Sequence, residues 1–66
     1  MAEHIMDLIC GNKKYYISHS GETVYYSTSG RGRGSTVVKG VKFKNNTIKD
    51  FSGNKLTETQ ICMKLP

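Results

Sequence analysis

The sequence predicts an all-β fold: a small, strongly bent antiparallel sheet or barrel of about five strands, SH3-like in preference to OB-like. Three observations carry this expectation. Short segments alternate apolar and polar residues and are rich in Val, Ile, Tyr and Thr, which suit a pleated, half-buried surface. Clusters of Gly, Asn and Ser punctuate them at short intervals. The length, 66 residues, allows one domain, residues 1–66, and suits the SH3-like class better than the OB-like one.

The elements follow in order. Residues 5–9 are open to two readings: Ile5, Leu8 and Ile9 fit one helical face, while Ile5 and Ile9 about Asp7 make a weak strand. Residues 13–18 read as a strand, residues 18–21 as a turn and residues 22–29 as a second strand, so the two strands form a hairpin with two tyrosines on each. Residues 30–34 hold three glycines in five positions, too many for a strand interior. They are expected to form the tip of a second hairpin whose return strand is residues 35–44, with a bulge or sharp bend at Gly40.

The register is clearest at Asn45-Asn46, a pair that can supply a two-residue turn with both residues at positive φ. Counting back from it sets Lys44 opposite Thr47, Phe43 opposite Ile48, Lys42 opposite Lys49 and Val41 opposite Asp50. Phe43 and Ile48 then face the core, and Lys42 and Lys49 share the outer face. A further turn follows at residues 50–54. For residues 58–65 a closing strand is preferred, with Ile61, Met63 and Leu65 inward, because closure protects sheet edges. The competing reading is a short helix opened by a Thr57/Gln60 capping box.

Charge is distributed unevenly. Ten Lys or Arg against five Asp or Glu give a net charge of +5, and residues 23–49 hold six cations and no acid. That asymmetry points to an anionic partner, DNA or RNA first, with an acidic protein surface as the alternative. Arg31 and Arg33 on the glycine-rich tip offer planar donor forks for phosphate, where the bland reading is a solvated loop. Lys39, Lys42, Lys44 and Lys49 would track a nucleic-acid backbone, and the competing role is an ordinary charged edge. Lys39 is one pleat out of phase with Lys42 unless a bulge near Gly40 aligns them. Of the tyrosines, Tyr15 and Tyr26 are expected inward. That leaves Tyr16 and Tyr25 outward, able to stack on bases or to serve as structural cross-strand aromatics.

Other chemistry has little foothold. No carboxylate pair is spaced for acid–base work, so the chain reads as a non-enzyme with no cofactor. His4, His19, Cys10 and Cys62 lack zinc-site spacing, so no metal is expected. A Glu22–His19 pairing across the hairpin turn is the nearest approach to an ionisable pair. No apolar run is long enough to span a membrane, and residues 1–11 lack the pattern of a secretory signal. A cytoplasmic location is therefore expected, and with it free buried thiols at Cys10 and Cys62, although terminal strands lying together would also allow a disulfide. A core this thin is compatible with a homodimer.

Overall fold

A computed structural model of the protein describes residues 2–30 and 34–65. Among these residues the order is β1 (Glu3–Cys10), β2 (Lys13–Ser20), β3 (Thr23–Ser27), β4 (Thr36–Val37), β5 (Val41–Lys44), β6 (Thr47–Asp50) and α1 (Glu58–Lys64). The result is a small, mostly antiparallel β domain with one short helix. Strands β1 to β4 form a four-stranded meander, and β5 and β6 form a separate two-stranded sheet.

The expected barrel does not form. Both sheets remain open, which corrects the SH3-like and OB-like assignments together. Two local causes are visible. Strand β4 is only two residues long before the chain turns away at Gly40, whose φ of 83° would strain any side-chain-bearing residue. The segment that was to close the sheet is helical. Thr57 accepts from the Gln60 amide at 3.2 Å, and Gln60 Oε1 accepts from the Thr57 amide at 2.9 Å, a complete capping box. The inward set is accordingly Ile61, Cys62 and Leu65 at helical spacing, while Met63 is 79% exposed. The strand reading of this tail is overturned.

Seven residues are too few to hold a helix unaided. Two attachments dock it. Ile61 enters the core, and Cys62 is disulfide-bonded to Cys10 at the end of β1, with 5.7 Å between their Cα atoms. The expectation of two free thiols is thus corrected. Separation in sequence, 52 residues, hid a pairing that the packing of α1 against β1 makes local in space. Strand β1 resolves the ambiguity of the N-terminal segment. A bulge between His4 and Met6 shifts its register, so Met6 and Leu8 lie across from Ile17 and Tyr15 while Ile9 points to solvent, 69% exposed.

The core is Leu8, Tyr15, Ile17, Val24, Val38, Val41, Ile48, Leu56 and Ile61. It lies between the inner face of the meander and the layer made by β5, β6 and α1. Tyr15 is buried and meets Tyr26 edge to face at 5.9 Å between ring centroids, as the pattern of flanking Ile17 and Val24 predicts. The two sheets meet where the Phe43 amide donates to the Glu22 carbonyl at 2.9 Å. There His19, a residue of β2 and not of a turn, stacks on Phe43 at 4.1 Å. Among the described residues no helix is long and apolar enough to cross a membrane.

Candidate functional site

The β5–β6 hairpin carries three of the lysines singled out above, Lys42, Lys44 and Lys49, and its local chemistry explains their arrangement. Asn45 and Asn46 adopt φ of 54° and 59°, the left-handed pair that a tight hairpin turn requires. The pairing is the expected one: Lys44 with Thr47, Phe43 with Ile48, Lys42 with Lys49, and Val41 with Asp50. Alternation then sends Phe43 and Ile48 inward and Lys42, Lys44 and Lys49 outward.

A third chain segment extends this face. Lys49 forms a bridge with Lys55, and the Leu56 amide donates to the Ile48 carbonyl at 3.1 Å. Lys42, Lys49 and Lys55 therefore stand in a row across three adjacent segments, with Lys44 beside them. Lys55 was missed in the sequence because its neighbours are set by tertiary pairing and not by alternation along a strand. None of these four lysines forms an ion pair among the described residues. Among the described residues the acid–base contacts lie elsewhere: Lys14 pairs with Asp7 at 3.9 Å, and the His4 and His19 rings, charged only when protonated, lie 2.6 Å from Asp7 and 3.8 Å from Glu3. His19 thus turns to Glu3 and to the Gly21 carbonyl, and the pairing with Glu22 that the turn would allow is not formed.

The nearest acid in sequence, Asp50, is committed to its own turn. Its carboxylate accepts from the Asn54 and Ser52 amides, both at 2.9 Å, and from Asn54 Nδ2 at 3.4 Å. The Asn54 backbone bond, supported by the other bonds, holds the Asp50 pKa below its ordinary value. This turn presents Phe51 to solvent, 72% exposed.

Phe51 lines a groove of about 460 Å³ where the meander meets the β5–β6 hairpin. Val37 and Val41 supply apolar wall, Lys39 and Lys42 supply positive charge, and Glu22 is also on the lining. The turn at Gly40 is what brings Lys39 and Lys42 to one groove. Tyr25 stands directly across from Val37 on the outer face of the meander. Tyr16 shares that face but lies toward β1, with the Lys14 ammonium 5.4 Å from its ring centre. The structure thus gathers Lys42, Lys44 and Lys49 with the unforeseen Lys55, sets Lys39 at the adjoining groove with Tyr25 one strand away, and leaves Tyr16 apart. Arg31 and Arg33, at the centre of the hairpin tip expected over residues 30–34, lie outside the described residues.

Cys10 and Cys62 are bonded to each other and so offer no thiolate to a metal. Taken together, these features define a class only: a disulfide-linked, mostly β domain with one cationic strand face. Comparison with protein-family models, with curated proteins and with solved structures finds no match to this chain.

Proposed function

We propose that this chain is a non-enzymatic domain that binds nucleic acid through the lysine face of the β5–β6 hairpin. The observation that supports it most is the Lys42–Lys49–Lys55 row, in which like charges stand directly across from one another and none forms an ion pair among the described residues. Directly opposed like charges destabilise a sheet. A bridging phosphate converts that cost into contacts, and Lys44 and Lys39 extend the positive surface to either side. Lysines act here as point charges that position a backbone without reading sequence. In this reading Arg31 and Arg33 add phosphate contacts from the glycine-rich segment.

Fluorescence anisotropy with labelled single-stranded DNA, duplex DNA and RNA near 150 mM salt tests the proposal. The wild-type chain binds at least one polymer, and the K42Q/K49Q/K55Q variant binds it clearly more weakly. Its salt dependence also falls, by about 2 in log–log slope on a single strand and nearly 3 on a duplex, as expected for roughly three lost phosphate contacts. Absence of binding to all three polymers rejects the reading. It would favour the competing one, docking on an acidic protein surface, for which the exposed Phe51 beside the lysines supplies an apolar anchor.

The disulfide bears on location. Such bonds persist in oxidising compartments and are rare in a reducing cytosol. The Cys10–Cys62 pair therefore argues against the cytoplasmic location expected from the N-terminal residues. Self-association would use the outer edge of β1, the terminal strand of the meander. A purely monomeric species in sedimentation velocity rejects that homodimer.

A further inference from the structure

We infer that the groove beside the lysine row receives an unpaired base, so that the preferred ligand is a single strand and not a duplex. This rests on the nucleic-acid reading above and specifies the form of the polymer. Three features of the groove carry it.

The first is a presented aromatic ring. Phe51 is mostly exposed and shares its groove with Val37, another exposed apolar side chain. The ring does not hang on a loose loop. Asp50 ties the turn at the Ser52 and Asn54 amides, and the Gly53 amide donates to the Asp50 carbonyl at 3.0 Å. A ring held on an ordered turn loses little freedom when a flat partner stacks on it.

The second is charge placement. Lys42 lines the groove and begins the row that continues through Lys49 to Lys55. A base seated against Phe51 therefore has a track for its flanking phosphates on one side. Lys39 adds a second cation at the groove itself. Glu22, also on the lining, repels phosphate and can accept from the exocyclic amino group of a base. The groove thus separates a place for a base from a place for its backbone.

The third is size. About 460 Å³ falls within the range of small-molecule sites and admits a flat heterocycle without a deep cavity. A duplex keeps its base faces stacked inside the helix, so a protein ring meets them only when the bases are unstacked. Single strands offer those faces freely, and aromatic platforms with a basic track are the usual means of holding them. Tyr25, opposite Val37, extends the platform by one strand toward a neighbouring base.

The chain contains no tryptophan, which makes a decisive experiment available. The F51W and F51A variants are compared with wild type against a labelled single strand and a duplex of the same sequence near 150 mM salt. Wild type and F51W are expected to prefer the single strand, and the lone indole of F51W should be quenched on binding. F51A should lose roughly tenfold or more of single-strand affinity, the scale of one base–aromatic stack, while its duplex affinity and salt slope stay unchanged. Unaltered single-strand affinity in F51A, or unquenched indole in bound F51W, overturns the base-site inference while the lysine face still binds. If no polymer binds wild type, the inference falls with the reading beneath it.

Discussion

The two ends of this small molecule treat their charges and their tethers in opposite ways. Residues 3–20, which form β1 and β2, carry two acids and two lysines, and their groups meet in short-range pairs about Asp7 and Glu3. The same end is covalently tied to α1 through Cys10 and Cys62. Residues 41–56, which form β5, β6 and the turn after them, carry four lysines and one aspartate. That aspartate is spent on backbone amides, and the hairpin holds its shape through the Asn45-Asn46 turn and a few cross-segment hydrogen bonds. One end is closed electrostatically and stapled. The other leaves a cationic face open to solvent. If the lysine face binds polymer as proposed, stability and ligand recognition fall to different residues, and perturbing one should spare the other.

The largest test of that separation is reduction of the disulfide. Removing a native disulfide from a small domain costs about 2–5 kcal/mol, a large part of the roughly 3–10 kcal/mol expected for a domain of this size. The C10A/C62A variant, or the wild type in dithiothreitol, should melt lower by roughly 10 °C or more in a circular-dichroism scan. Where the chain remains folded, its polymer affinity should be unchanged. Loss of affinity at a temperature where the fold persists would join the two ends and break the comparison.

The helix cap is the next lever. T57A removes half of the capping box and should destabilise the domain by about 1 kcal/mol in urea unfolding, again without affecting binding. The lysine face should respond in the reverse sense. K49Q relieves repulsion with Lys42 and Lys55 and is expected to alter stability by no more than about 0.5 kcal/mol, while clearly weakening polymer binding. A large destabilisation in K49Q would make the row a structural element.

The smallest effect concerns acid. The Asp50 pKa is lowered on folding, so its contribution is fully present above the ordinary carboxylate value of 3.8. It is lost as pH falls below that value through the lowered folded one. The wild type should show an acid-side decline in melting temperature that is shallower in D50N, which keeps a carbonyl acceptor but does not titrate. Identical profiles would show that the turn presenting Phe51 does not depend on the carboxylate charge.

Short-range chemistry was readable along the chain. Asn45-Asn46 dictated a register in which Lys42 meets Lys49, because two adjacent residues at positive φ leave a hairpin one way to pair. The inward placement of Tyr15 and Tyr26 followed from alternation beside Ile17 and Val24. Gly40 announced a bend, and the chain does turn there. The candidate site was legible to the same depth: Lys42, Lys44 and Lys49 share a face as counted, whereas Lys55 and Phe51 come from the following turn, where no strand period applies. The tail differs because residues 58–65 satisfy both periods passably, and the Thr57/Gln60 capping box, not edge protection, decides between them.

The amino-acid order alone thus determined the β-rich character, the tight turns, the facing of the tyrosines in β2 and β3 and of the β5–β6 residues, and the clustering of positive charge, since each depends on residues only a few positions apart. Packing between distant segments settled the rest. It paired Cys10 with Cys62 across 52 residues, left both sheets open, carried Lys55 alongside Lys49 and enclosed the groove between Val37 and Phe51. Those outcomes rest on burying Leu8, Ile17, Ile48 and Ile61 in one shared core, and the hydrophobic effect that drives this burial is non-directional, so no local pattern along the chain specifies it.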